Sequence, residues 1–195
     1  LERLGRENLD GIQETIARYN MDAEFERTGT LSVVVEPHQA EWLNGESEYL
    51  DAAATRALVN SPTYLGGYWE QGDTALVHPA KLAIELARVA VELGVEIFEH
   101  SRVTGIDDGT VVRTTGGSVA AQQVALGTNV FPSLLKRNKL MTVPVYDYVL
   151  MTEPLTTEQK AAIGWDGRQG VADLANQFHY YRQTADNRIL FGGYD

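Results

Sequence analysis

The sequence predicts a mixed α/β fold, and two observations carry that prediction. In the segment 78–100, Leu82 and Leu86 begin a set of apolar residues at helical spacing, and Gly94 follows as a helix-ending glycine. Residues 95–98 then read as a buried strand, so we expect half of a βαβ unit and a mostly parallel sheet here. Further on, Asp-Gly and Gly-Gly dipeptides between alternating runs predict an antiparallel meander.

Composition narrows the class of protein. The 195 residues carry a formal net charge of −11 and no cysteine. The negative net charge argues against a nucleic-acid or anionic-membrane partner. No apolar run reaches the roughly 20 residues of a membrane span. The lack of cysteine removes disulfides and thiolate ligands and fits a reducing compartment, so we expect a cytoplasmic protein. Because Leu1 is not methionine and Asp195 follows a strand-like run directly, we expect a piece of a longer chain.

Before the helix–strand unit, the sequence predicts a helix, two strands and two further helices. Leu9, Ile12 and Ile16 share one helical face, and Gly29 marks a turn. Pro37 suits the start of a helix. The predicted bounds are 1–20 for the first helix, 25–27 and 31–36 for the strands, and 37–43 and 47–59 for the later helices.

The segment 63–77 is predicted to be a loop with two possible roles. Gly66 and Gly67 permit unusual backbone conformations, and aromatic residues such as Tyr64 and Tyr68 flank them. The aromatic rings either line a ligand pocket or pack on the core beneath a surface turn.

The second half of the chain is predicted to be richer in strands. The apolar run 124–126 reads as a buried strand that ends at Gly127, and ligands bind at such strand ends in open α/β sheets. Pro144 favours an edge position for the strand that contains it. The other predicted elements are meander strands at 101–106, 111–115 and 118–123, a helix at 132–139, one or two strands within 142–152, a helix at 154–163, a loop at 164–170, and a hairpin of 178–183 with 188–191.

Local motifs give few catalytic candidates. The dinucleotide fingerprint, the phosphate-binding loop and the nucleophile elbow are absent, and the four histidines show no metal-ligand spacing, so no metal site is predicted. Tyr180, Tyr181 and Arg182 are the more informative group. Alternation puts Tyr180 and Arg182 on one face of a strand, where a hydroxyl and a guanidinium can bind a substrate carboxylate. A purely structural hairpin is the alternative.

The order of the pieces is more specific than any single motif. An ALVHPAKL helix start precedes a GVEIFEHSRV strand and a meander, and the runs VALGTN, SLLKR and YYRQTADNRILFGG follow. Over residues 29–193 this series resembles the FAD-dependent oxidoreductases of the D-amino-acid-oxidase-like superfamily, in the branch of glycine, sarcosine and γ-glutamylputrescine oxidases.

The resemblance implies two domains and a set of site residues. Segments 1–77 and 140–195 correspond to a substrate domain with an antiparallel sheet, and 78–139 corresponds to part of an FAD-binding α/β domain. The cofactor-binding positions implied for FAD are Val103, acting through its backbone, Gly127 and Thr128; the substrate-side positions are Tyr180, Tyr181 and Arg182.

The resemblance also implies an activity. Such enzymes oxidise the C–N bond of a small-molecule amine or amino acid to an imine, with hydrogen peroxide as the second product. The family's phosphate-binding G-x-G-x-x-G helix and the segment that follows Gly193 are not in this sequence, so we expect the chain alone to lose FAD and to be inactive. Exposed sheet edges predict self-association. The alternative is a non-catalytic ligand-binding or interaction module with the same substrate-domain fold; a hydrolase lacks a nucleophile–base pair.

Overall fold

The computed structural model describes residues 1–43, 48–107, 109–129, 131, 134–135 and 140–193. These divide into two compact units. The first comprises Leu1–Ala90 and Asp147–Asp195, and the second comprises Val91–Tyr146. The divisions follow residues 90 and 146, whereas the sequence predicted domain boundaries after residues 77 and 139.

Helices and strands alternate irregularly along the chain. The helices are α1 (Glu2–Arg18), a 3₁₀ helix (Pro37–Leu43), α2 (Ala52–Leu58), α3 (Pro79–Glu92) and α4 (Thr157–Ile163). The strands are β1 (Thr30–Val34), β2 (Tyr49–Asp51), β3 (Gly66–Glu70), β4 (Val103–Asp107), β5 (Val111–Thr114), β6 (Ser118–Ala120), β7 (Tyr148–Met151), β8 (Gly170–Asp173), β9 (His179–Gln183) and β10 (Ile189–Gly193).

The first unit is built on a mixed sheet. Its described strands lie in the order β2-β3-β1-β8-β9-β10-β7. Among them, β1 and β8 are the one parallel pair, with Leu31 opposite Val171, and the other neighbours are antiparallel. The second unit carries the separate antiparallel meander β4-β5-β6. The mixed α/β fold class is therefore confirmed.

The two faces of the large sheet differ in character. One face, the core face, carries the buried residues Leu31, Val33 and Val171, which cluster with Val59 and Trp165 from the segments next to α2 and α4. Burying such apolar side chains contributes roughly 1.5–3 kcal/mol each before the entropy cost. The opposite face, the Tyr180 face, carries a row of residues aligned across neighbouring strands: Tyr68, Ser32, Ala172, Tyr180 and Gly192.

Predictions that rest on local signals are confirmed. Helices α1 and α3 form where helical spacing predicts them, and Gly94 has φ +91°, as expected of a helix-ending glycine. The meander and the β9–β10 hairpin form as predicted. Helix α4 begins after the cap residue Thr156 and ends at the left-handed Gly164. Of the one or two strands predicted within 142–152, only β7 forms, and Pro144 lies outside it.

Several predicted elements near the N-terminus are wrong. Residues 25–27 do not pair with the next strand, because Glu26 bridges Leu76 instead. The helix expected over 47–59 starts only at Ala52, where the Asp51 carboxylate accepts a hydrogen bond from Ala54 N at 2.8 Å, and β2 precedes it. The predicted loop 63–77 contains β3, since pairing with β1 and β2 overrides its local glycine signal.

The strands expected at 95–98 and 124–126 are also wrong, and with them the mostly parallel sheet. Val95, Ile97 and Phe98 are 53%, 47% and 68% exposed, and Leu126 is 37% exposed. A strand needs a neighbour for its backbone hydrogen bonds, and no described strand pairs with either segment. Strand β8 was not predicted. The predicted helix 132–139 falls mainly outside the described residues.

Candidate functional site

The predicted site residues fall in two separate regions. Val103, Gly127 and Thr128 lie in the second unit, and Tyr180, Tyr181 and Arg182 lie on β9 of the first unit.

Two of the predicted cofactor residues line one cavity. This cavity of about 770 Å³ is bounded by Val103 and Thr128 together with Arg102, Thr104, Thr115, Phe131 and Leu134. Its volume is in the usual range for ligand pockets, roughly 300–1,000 Å³. Thr115 N donates to Arg102 O at 3.2 Å, which holds the rim of the cavity to the end of β5.

Gly127 leaves open space beside this cavity. A Cβ atom built on Gly127 would meet no heavy atom within 4 Å, so the backbone next to Thr128 is open to close approach by a ligand. The guanidinium, the hydroxyls and the aromatic ring of the lining are groups that bind nucleotides. The residues present therefore fit one part of a dinucleotide cofactor such as FAD.

Tyr180 lies across β10 on the Tyr180 face. A Cβ atom on Gly192 would overlap the Tyr180 ring, so the ring occupies the space that the missing side chain leaves. The Tyr180 hydroxyl donates to Oδ2 of Asp147, which immediately precedes β7. The ring of Phe178 lies at a centroid distance of 6.2 Å from that of Tyr180. Tyr180 thus contacts the Phe178 ring through its own ring and the Asp147 carboxylate through its hydroxyl.

Arg182 is on the same face, as alternation predicts, but its guanidinium is engaged. Nη1 donates to the carbonyl oxygen of Val77 at 2.6 Å and ties β9 to the residues before α3. Burial lowers the pKa of Arg182, while the carboxylates of Glu26 and Glu24 act in the opposite direction. The Arg182 side chain therefore links β9 to the residues before α3.

Tyr181 points to the core face. Its hydroxyl is hydrogen-bonded to the hydroxyl of Tyr64, and its ring stacks on Phe191 at a centroid distance of 5.4 Å. Burial raises the pKa of both tyrosines. Tyr64 is 3% exposed and packs in the core cluster, and it also lines a cavity on the same face, so this ring takes both of the roles open to the aromatic residues of segment 63–77. Tyr181 is thus separated from Tyr180 and Arg182 by the thickness of the sheet.

A second polar pair lies on the core face near Tyr181. The Asp173 carboxylate contacts Nδ1 of His179 at 2.7 Å, and both side chains line the same cavity of about 400 Å³ as Tyr64 and Tyr181. Sequence reasoning missed this pair and also Asp147. No motif marks them, because each contact joins residues that only the pairing of strands brings together.

The described residues contain neither a candidate metal site nor a helix that could span a membrane. Within the described ranges, no group of three or more His, Cys, Asp or Glu side chains has a geometry that could hold a metal ion. None of the described helices is both long enough and apolar enough to cross a membrane.

The curated proteins to which this chain is similar include proteins named as oxidoreductases. Gamma-glutamylputrescine oxidoreductase of Escherichia coli strain K12 is 34% identical over 201 residues, which cover 93% of this chain and 46% of that protein. The probable oxidoreductase OrdL of Haemophilus influenzae is 28% identical over 211 residues, or 98% of this chain and 48% of that protein. The chain therefore spans about half the length of these curated relatives.

Solved structures show the same fold. Glycine oxidase from Bacillus cereus ATCC 14579 matches with a TM-score of 0.73 and 17% identity, over 100% of this chain and 57% of that one. Glycine oxidase from Geobacillus kaustophilus matches with a TM-score of 0.71 and 20% identity, over 97% of this chain and 54% of that one. The model of the family DAO, FAD dependent oxidoreductase, matches residues 1–195, and the chain belongs to this family of FAD-dependent oxidoreductases.

Proposed function

We propose that the protein containing this chain is an FAD-dependent oxidoreductase that oxidises the C–N bond of a small-molecule amine or amino acid. The observation that carries the proposal is the family match over residues 1–195. It is supported by 34% identity to a relative named gamma-glutamylputrescine oxidoreductase and by the fold shared with proteins named glycine oxidase.

The proposal assigns distinct tasks to the two regions. Val103, Gly127 and Thr128 hold part of the cofactor beside the 770 Å³ cavity. Tyr180 meets the substrate, while Tyr181 supports β9 from the core face and Arg182 ties the same strand to the residues before α3. When bound, FAD supplies the two-electron chemistry that turns the amine into an imine, and with oxygen as the acceptor the second product is hydrogen peroxide.

A matched pair of glycine variants tests the cofactor assignment. Neither Gly127 nor Gly5 has a heavy atom within 4 Å of an added Cβ, and neither has a positive φ, so Gly127→Val and Gly5→Val are both expected to fold. In the full-length protein, Gly127→Val is expected to lower the flavin bound per chain at least severalfold, while Gly5→Val, in the first unit, keeps it. Visible absorbance of the purified proteins measures this, and equal flavin in both variants would contradict the assignment.

Amine screening tests the reaction itself. Bleaching of the flavin absorbance by amines or amino acids without oxygen is the expected result for the full-length protein. No flavin in the full-length protein, even after FAD is added, would favour the alternative of a non-catalytic binding module. The 195-residue chain alone is expected to be inactive, and a cytoplasmic location stays a prediction from the cysteine-free sequence.

A further inference from the structure

We propose that Asp147, Tyr180 and Phe178 form a subsite for an ammonium group of the substrate, one other than the amine that is oxidised. The inference rests on the proposed function and narrows its substrate class to amines that carry a second positive charge.

The geometry of β9, β10 and the start of β7 builds the subsite. Gly192 on β10 is paired with Tyr180, and its missing side chain lets the Tyr180 ring lie across the strand. The hydroxyl therefore reaches the residue before β7 and donates to Oδ2 of Asp147. This hydrogen bond orients an exposed carboxylate at the Tyr180 face.

The chemistry of the three side chains suits a cation. A carboxylate has about four lone-pair sites, and the Tyr180 hydroxyl uses one of them at Oδ2. Phe178 is 38% exposed, and its ring lies beside that of Tyr180 at 6.2 Å between centroids. Aromatic faces within about 6 Å attract ammonium groups, most strongly where water is excluded. A carboxylate with aromatic neighbours is thus a site for an alkylammonium.

The overall charge of the chain suits a cation at this subsite. Arg182, the cation of β9 on the same face, has its Nη1 donating to Val77 O at 2.6 Å. The formal net charge of the chain is −11, which raises the local concentration of cations around it.

The bound ammonium is a spectator of the oxidation. A neighbouring carboxylate favours the charged form of an amine, whereas oxidation of a C–N bond needs the lone pair of a neutral amine. A group held by Asp147 is therefore kept protonated, and the reacting nitrogen lies elsewhere on the same substrate.

The test compares substrates in the full-length, FAD-loaded protein. The probes are an aliphatic diamine, the monoamine of the same chain length and the corresponding ω-amino acid, each followed by flavin reduction without oxygen. The wild type is expected to prefer the diamine. Asp147→Asn keeps the shape and removes the charge. It is expected to lower the ratio of kred/Kd for diamine to that for monoamine at least tenfold, mainly through the dissociation constant Kd, where kred is the limiting rate of flavin reduction. Asp166→Asn removes one exposed charge in the loop after α4 and is expected to leave the ratio unchanged.

Further variants separate a local effect from misfolding. Tyr180→Phe removes the hydroxyl that orients Asp147, and Gly192→Ala displaces the ring; both are expected to shift the same ratio in the same direction, with flavin content retained. An unchanged ratio in Asp147→Asn, or a wild-type preference for the ω-amino acid, overturns the subsite while leaving the oxidase function in place. No flavin reduction by any amine overturns both.

Discussion

At the scale of single residues, the buried tyrosine pair makes stability depend on alkaline pH. Burial raises the pKa of Tyr181 and of Tyr64 in the folded chain, so the unfolded chain loses these phenolic protons first as pH rises. Their contribution to stability is complete below the unfolded pKa of about 10 and is lost as pH rises towards the folded values.

Urea unfolding between neutral and alkaline pH measures this loss. The free energy of unfolding of the wild type is expected to fall more steeply with pH above about 10 than that of the double variant Tyr64→Phe, Tyr181→Phe. Parallel slopes for the two proteins would show that the hydroxyl pair on the core face does not remain protonated in the folded state.

The sequence predicted the faces of the β9 side chains correctly but gave no information about their partners. The alternation of side chains along β9 correctly placed Tyr181 on one face of the sheet and Tyr180 and Arg182 on the other. It did not reveal Val77 or Asp147 as their partners, because both contacts depend on segments that are distant in sequence.

At the scale of elements, α4 shows how a local signal starts a helix. Gln159 N donates to the Thr156 hydroxyl at 3.2 Å, and the Gln159 side chain accepts from Thr156 N at 2.8 Å. Thr156→Ala removes the hydroxyl that accepts from Gln159 N, leaves that N–H without this partner, and is expected to destabilise the first unit by about 1 kcal/mol. Thr157→Ala, one residue into the helix, is the matched control and is expected to cost less. Thermal or urea unfolding distinguishes them, and equal losses would remove the capping role.

The difference between correct and wrong elements has one physical cause. A helix satisfies its hydrogen bonds within one segment, so helical spacing predicted α1 and α3, and α4 forms within the predicted helix 154–163. A strand depends on its neighbours. Residues 95–98 have the composition of a strand without a described partner strand, whereas β8 has little strand signal and is paired on both sides.

At the scale of the whole molecule, β7 predicts self-association of the purified chain. Among the described strands it pairs with β10 alone, on one side, and its Leu150 is 71% exposed. An exposed apolar edge strand is a template for pairing with another chain. We expect concentration-dependent oligomers in sedimentation experiments.

A matched pair of variants tests this prediction. Leu150→Lys on the edge strand is expected to weaken self-association, because a charge at an edge opposes pairing. Leu4→Lys, which replaces an exposed leucine of α1, is expected to leave it unchanged. A monomeric wild type, or equal effects of the two variants, would exclude this edge as the contact.

The sequence by itself determined the mixed fold class, the helices with clear ends, the meander, the β9–β10 hairpin and the family resemblance. These follow from signals within a few residues or from the order of segments along the chain. Only the tertiary structure decided that Val103 and Thr128 line one cavity, that Arg182 is engaged by Val77, and that Tyr180 meets Asp147 across Gly192. Those arrangements depend on which strands pair and in what register, and register is set by the burial of whole faces rather than by any local run of residues.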